Sequence, residues 1–110
     1  MSLPNADRAI FDPAKVRDYL LSSVHPVGRF KATFFVSLGY TQDRWDTLRD
    51  DLLALARSGD AVPGRLSFFG RMFEVDGMLT GPSGRTAETR TVWIVAGDEA
   101  SPRFVTAYPR

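Results

Sequence analysis

The single histidine of the chain lies in a short segment rich in groups that bind phosphate. His25-Pro26-Val27-Gly28 leads directly into Arg29-Phe30-Lys31. Histidine is the side chain whose unperturbed pKa lies near neutrality, and backbone N–H groups at a helix start attract anions. The segment therefore predicts a site that binds a phosphodiester and moves a proton. The alternative is a loop histidine that caps a helix or bonds to backbone, the commoner role of an isolated histidine.

A second group of candidates lies on the last predicted strand and its neighbour. Alternation along this strand predicts that Phe104, Thr106 and Tyr108 share one face, and Arg90 is carried by the preceding strand. The two hydroxyl groups can donate to a phosphate whose charge the arginine neutralises. The alternative is that Thr and Tyr are simply good strand formers.

Several other kinds of catalytic site are excluded by missing residue types. The sequence has no glycine-rich phosphate loop followed by Lys-Ser/Thr and no Gly-x-Ser-x-Gly elbow. One histidine and no cysteine provide neither a zinc ligand set nor a nucleophilic triad. We therefore expect no metal and no cofactor, which leaves general acid–base chemistry at His25.

The composition predicts one globular domain over residues 1–110. The chain is 44% hydrophobic and 25% charged, which is enough apolar side chain for a core. No apolar run approaches the roughly 18 residues of a membrane span, and no basic-then-apolar signal opens the chain. We expect a cytoplasmic site of action and no membrane partner, with secretion as part of a larger protein left open.

The charge distribution is more informative than the net charge of +1. Four cations lie between residues 15 and 31 against Asp18 alone, whereas residues 43–51 carry four aspartates against Arg44 and Arg49. The first region can hold a polyanion, although ordinary solvated surface is the alternative for both.

Helices are predicted in the first half of the chain, over about residues 12–59. Asp12-Pro13 starts a first helix that runs to about residue 21, because Asp caps free N–H groups and Pro fits the first helical position. A second helix covers about 29–38 and ends at Gly39.

The third predicted helix begins at a Thr41 or Asp43 cap and ends at Gly59. Its apolar residues recur at helical spacing and are expected to cover the sheet; they are Trp45, Leu48, Leu52 and Leu55.

A β pattern replaces the helical one over about residues 61–109. The strand-like segments are 66–69, 72–79, 85–95 and 103–108, with turn signals at Gly70 and at 81–84. Helices followed by three or four antiparallel strands predict an α+β fold with the helices on one sheet face.

Three motifs together resemble a bacterial family of toxin-associated domains. They are His-Pro-Val-Gly-Arg-Phe-Lys-Ala-x-Phe-Phe at 25–35, Arg-Thr-Val-Trp-Ile-Val at 90–95 and Phe-Val-Thr-Ala-Tyr-Pro at 104–109. The layout also resembles the nucleases of the barnase/EndoU/colicin/RelE (BECR) fold, whose last strand has a similar Ser/Thr-x-Tyr-Pro ending. The resemblance covers residues 3–109.

The resemblance implies a set of site residues. Carried over residue by residue, the catalytic set is His25, Lys31, Thr106 and Tyr108. Arg29 and Arg90 are implied as substrate-binding residues. EndoU-type enzymes use two histidines, so their two-histidine mechanism is excluded for this chain.

The activity implied is that of a metal-independent, toxin-type ribonuclease. The 2′-hydroxyl of RNA attacks the adjacent phosphorus once a base removes its proton, and a 2′,3′-cyclic phosphate results. The expected partners are RNA and a small antitoxin or immunity protein encoded nearby. If His25 acts on the same phosphate as Thr106 and Tyr108, its side chain must lie within about 10 Å of Thr106 or Tyr108. The alternative is a non-catalytic module of the same fold that binds protein or RNA.

Overall fold

The computed structural model shows helices followed by an antiparallel sheet. It describes residues 2–22, 24, 29–97 and 100–110, without the side chains of residues 29 and 30. The strands are β1 (Ala61–Ser67), β2 (Gly70–Thr80), β3 (Thr86–Val95) and β4 (Arg103–Pro109). Within these residues they form one four-stranded sheet in the order β1-β2-β3-β4. The predicted α+β fold is confirmed.

The helical half follows the predicted order. After a 3-10 turn (Ala6–Arg8), the helices are α1 (Pro13–Lys15), a π-helical segment (Val16–Leu20), α2 (Arg29–Ser37) and α3 (Trp45–Ser58). The Asp12 carboxylate accepts a hydrogen bond from the Ala14 N–H at 3.0 Å, as expected of a cap. Gly39 follows α2 with φ +99°, a conformation that favours glycine. No helix in the described residues is long and apolar enough to cross a membrane.

The start of α3 differs from the prediction. Neither Thr41 nor Asp43 caps it, because the Thr41 carbonyl accepts from the Arg44 N–H at 3.2 Å and this turn delays the helix. The end of α3 is as predicted, with the Gly59 N–H donating to the Leu55 carbonyl at 2.8 Å.

The core lies between α3 and one face of the sheet, here called the inner face. Leu48, Leu52 and Leu55 are buried, and α3 packs against β2, whereas Trp45 lies partly buried at the edge of the core. The buried inner-face side chains are Phe73, Val75, Leu79, Thr89, Thr91, Trp93, Phe104 and Ala107. The predicted apolar stripe therefore does cover the sheet, with Trp45 at its margin.

The first strand begins earlier than the predicted segment 66–69. It starts at Ala61 and passes Pro63 at an irregularity in its pairing with β2. An edge strand tolerates Pro because one side of its backbone forms no ladder. Ser67 pairs with Gly70, so Phe68 and Phe69 form the turn although their residue type favours strands.

A β-bulge in β4 separates Phe104 from Thr106 and Tyr108. Phe104 and Thr106 pair with successive residues of β3, so Val105 is an extra residue. Phe104 is buried on the inner face, and Thr106 and Tyr108 lie on the opposite, outer face. The prediction that all three share a face is therefore wrong for Phe104, because simple alternation does not anticipate an inserted residue.

Candidate functional site

Lys31, in the first turn of α2, is the centre of a cluster of hydroxyl groups. Its Nζ donates to Tyr19 Oη at 2.7 Å and to Thr106 Oγ1 at 3.0 Å. The same Nζ lies 4.9 Å from the ring centroid of Tyr19 and 5.8 Å from that of Tyr108, both within cation–π range. We call these four residues the lysine cluster. The π-helical segment, α2 and β4 thus converge on one ammonium group.

The ammonium group of Lys31 retains capacity for an anion. An ammonium has three N–H donors, and the two hydrogen bonds to hydroxyl oxygens occupy two of them. Among the ion pairs of the described residues, none includes Lys31. Its positive charge is therefore not neutralised by a described carboxylate.

Core packing fixes the segments that carry the lysine cluster. Ala32 and Phe35 are buried and anchor α2, while Val16 and Leu20 are buried and anchor the π-helical segment around Tyr19. Isolated π-helical turns frequently occur at functional sites. The bulge at Val105 completes the arrangement by turning Thr106 and Tyr108 to the outer face.

Arg90 lies opposite Tyr108 on β3 and is held by carboxylates. Its Nε and Nη2 donate to the two carboxylate oxygens of Asp76 at 2.9 and 3.0 Å, and Glu74 Oε2 lies 2.9 Å from Nε. The hydrogen bond to Asp76 is the largest cause that raises the pKa of Arg90. Tyr108 is the pairing partner of Arg90 across β3 and β4, so its hydroxyl lies beside a group that has only hydrogen-bond donors.

The outer face forms an open surface around these groups. Its side chains on β2, β3 and β4 are partly exposed; they are Met72, Glu74, Asp76, Arg90, Val92, Ile94, Thr106 and Tyr108. The described part of the chain contains no group of three or more side chains suited to hold a metal ion. Because the outer-face side chains are partly exposed, an extended ligand can lie along this face and reach the lysine cluster.

Four of the six predicted site residues lie together. Lys31, Thr106 and Tyr108 belong to the lysine cluster, and Arg90 adjoins it through Tyr108. His25 and the side chain of Arg29 lie outside the described residues, so the expected approach of His25 to Thr106 stays a prediction.

Sequence reasoning missed three residues of this surface. Tyr19 received no role in the predicted site, but its hydroxyl accepts a hydrogen bond from Lys31. Asp76 and Glu74 received no role, although their alternation with the apolar Phe73 and Val75 indicates a polar outer face. This alternation would have predicted that the two carboxylates lie on the outer face of the sheet.

The fold is similar to that of a chain in a solved complex. A chain of the solved "Contact-dependent growth inhibition toxin - immunity protein complex from Klebsiella pneumoniae 342" aligns with a TM-score of 0.73. Sequence identity is 19%, and the alignment covers 92% of this chain and 99% of that chain. At this identity the likeness establishes the fold alone.

The sequence itself matches no curated protein. It does match the profile of a family described as "Domain of unknown function (DUF6883)", and this match spans residues 2–110. A match of that extent includes every element that carries the lysine cluster, and the chain belongs to the DUF6883 family.

Proposed function

We propose that this protein is a metal-independent ribonuclease of the toxin type, which cleaves RNA and leaves a 2′,3′-cyclic phosphate. The observation that carries the proposal is the convergence of Tyr19, Lys31, Thr106 and Tyr108 at the open outer face. The fold likeness to a chain of a toxin–immunity complex supports a toxin. The motif resemblance to BECR nucleases supports RNA as the substrate.

Lys31 is the phosphate-binding group in this proposal. Within the described residues, one N–H donor of its ammonium group has no partner and no carboxylate neutralises its charge. Both features suit a non-bridging phosphate oxygen, on which negative charge grows during attack. Thr106 holds the ammonium group in place through a 3.0 Å hydrogen bond. The bonds to neutral hydroxyl groups orient the ammonium group without cancelling its charge.

Proton transfer is assigned to two other residues. His25 takes the proton from the 2′-hydroxyl, a role that rests on the sequence alone. The Tyr108 hydroxyl donates a proton to the departing 5′-oxygen as the P–O bond breaks. Arg90 is held by Asp76, so we assign it the placement of Tyr108 and not a direct contact with phosphate.

Purified protein and labelled RNA in the presence of a chelator test this activity. We expect wild-type protein to give products with cyclic-phosphate ends, and Lys31→Ala to lower the rate about 10²-fold or more. Arg57→Ala is the matched control, because this exposed cation lies on α3, outside both the lysine cluster and the basic region of residues 15–31. Equal cleavage by the two variants would remove Lys31 from the mechanism.

A non-catalytic binding module is the second candidate, and one observation favours it. Arg90 is paired with two carboxylates and Lys31 already donates to two hydroxyls, so both cations have partners within the chain. Wild-type protein that binds RNA or a partner tightly but cleaves none of a varied set of RNAs would establish this function.

The proposed partner and location follow from the proposed activity. A cell that makes such a nuclease needs a small immunity protein, most simply one that covers the outer face and blocks access to Lys31. RNA is the substrate, so we propose that the protein acts in the cytoplasm of the target cell.

A further inference from the structure

The turn between β1 and β2 exposes two adjacent aromatic rings. Phe68 is 99% exposed and Phe69 is 73% exposed. Their ring centroids are 5.8 Å apart and the ring planes are perpendicular, so the two rings present faces in different directions. Large apolar side chains left in water usually mark a binding surface when they are contiguous.

Positive charge flanks these rings on both strands. Arg65 precedes them and Arg71 follows them, and no acidic residue occurs between Asp60 and Glu74. Both arginines are exposed, and no ion pair of the described residues includes either one. Arg71 Nη1 donates to the Gly64 carbonyl at 3.0 Å, which fixes its guanidinium group against the hairpin.

The hairpin tip, residues 65–71, lies at one end of the sheet that carries the lysine cluster. Arg71 pairs with Val95 on β3, and Val92 on the same strand pairs with Thr106. Three residues along a strand cover about 10 Å, and the step from β2 to β4 adds about 10 Å across the sheet. Arg71 and Thr106 are therefore on the order of 15 Å apart, and Phe68 and Phe69 lie on the order of 20 Å from Thr106 because they stand beyond Gly70. A short single strand spans this distance.

We propose that the hairpin tip is a second RNA-contact site, which stacks unpaired bases of the strand bound at the lysine cluster. This inference rests on the proposed function, because it assumes RNA as the substrate. Every base has a π-face that can stack on Phe68 or Phe69, and the arginines match the phosphates between bases. The proposed substrate is therefore RNA with an unpaired segment next to the cleaved bond.

Binding measured without cleavage tests the hairpin tip independently of catalysis. The probe is a fluorescent, unstructured 2′-O-methyl oligoribonucleotide, which lacks the attacking hydroxyl, and the readout is anisotropy. We expect the double variant Phe68→Ala with Phe69→Ala to weaken binding at least tenfold. Arg65→Ala and Arg71→Ala should each make the slope of log K against log salt concentration less steep by roughly 0.7, because one phosphate contact is lost. Val36→Ala is the control for an exposed apolar side chain on α2.

The outcomes separate this inference from the proposed function. Unchanged affinity in the Phe68 and Phe69 double variant, with an unchanged melting temperature, would overturn the hairpin site even if wild-type protein cleaves RNA. A tenfold loss of binding in a protein that cleaves no RNA would support the hairpin site while refuting the nuclease.

Discussion

Lys31 and Arg90 are both cations beside the outer face, but their surroundings give them different capacities. The guanidinium of Arg90 is paired with Asp76 and Glu74, so its charge is largely compensated. The described groups bonded to Lys31 are hydroxyls. Residue type alone would rank the arginine as the better phosphate ligand. The contacts reverse that ranking, and an incoming phosphate is expected at Lys31.

The two tyrosines of the lysine cluster are predicted to differ in function. Tyr108→Phe should lower kcat about 10²-fold because the general acid is lost, whereas Tyr19→Phe should lower it about tenfold because only a hydrogen bond that orients Lys31 is lost. Each variant keeps its ring, so packing and the cation–π contacts are retained. Single-turnover rates on RNA measure the two effects, and a larger loss for Tyr19→Phe would contradict this assignment.

Asp76 is predicted to make the stability depend on pH. Its hydrogen bond from Arg90 lowers its pKa below the usual 3.8, so the folded state favours the ionised carboxylate. The stabilisation is complete above the unfolded pKa and is lost as pH falls through the lowered folded pKa. Urea unfolding should show a stability difference between wild type and Asp76→Asn at pH 6 that shrinks below about pH 4. Asp43→Asn, at an exposed position, is the control, and a difference that stays constant over this range would contradict the prediction.

At the scale of elements, periodic patterns were predictable and local irregularities were not. The stripe on α3 identified the buried Leu48, Leu52 and Leu55, because helical spacing reports directly on burial. The bulge at Val105 and the turn at Phe68 were missed. Both depend on how two strands align, which is a long-range property that no local window contains.

The same distinction applies to the candidate site. Residue type and motif picked out Lys31, Thr106 and Tyr108, because cations and hydroxyls are the groups that bind phosphate. They could not show that Arg90 is paired with Asp76 across two strands, since this depends on the β2–β3 register. They also missed Tyr19, whose approach to Lys31 depends on how the π-helical segment packs beside α2.

Leu52 is predicted to be one of the side chains through which α3 stabilises the fold. It is fully buried against the sheet, so Leu52→Ala should lower the free energy of unfolding by about 2–5 kcal/mol through lost contacts and a cavity. Arg57→Ala, on the exposed side of the same helix, should change it by less than about 0.5 kcal/mol. Urea denaturation measures both, and equal values would mean that α3 does not form the core.

For the whole molecule, the two faces of the sheet differ in burial, and the proposed site lies on the more exposed one. The inner face is buried under α3, and the outer face keeps its polar side chains partly exposed. Tyr19 and Tyr108, which are distant in sequence, both lie beside Lys31 at this face. A partner that covers the outer face can therefore block the site without disturbing the core.

Expression in bacteria is predicted to stop growth through loss of RNA. Induced wild-type protein should degrade cellular RNA and leave DNA intact, because DNA lacks the 2′-hydroxyl that acts as nucleophile. His25→Ala and Lys31→Ala should both restore growth, the first through loss of the proton acceptor and the second through loss of charge stabilisation. Arg57→Ala, an exposed cation on α3 outside the proposed site, should remain toxic when expressed at the same level.

If the proposed function is correct, coexpression of a small protein encoded beside this one is predicted to restore growth as well, by binding the folded domain. A bound partner should raise the melting temperature of the purified domain in a concentration-dependent way, and should compete with RNA at the outer face. The variant Tyr108→Phe should still bind this partner, because the aromatic ring at position 108 is retained. Loss of toxicity and loss of partner binding can therefore be measured separately. If cells that express His25→Ala still stop growing while their RNA stays intact, the proposed nuclease activity is refuted. If the partner then neutralises that growth arrest, the protein is an interaction module.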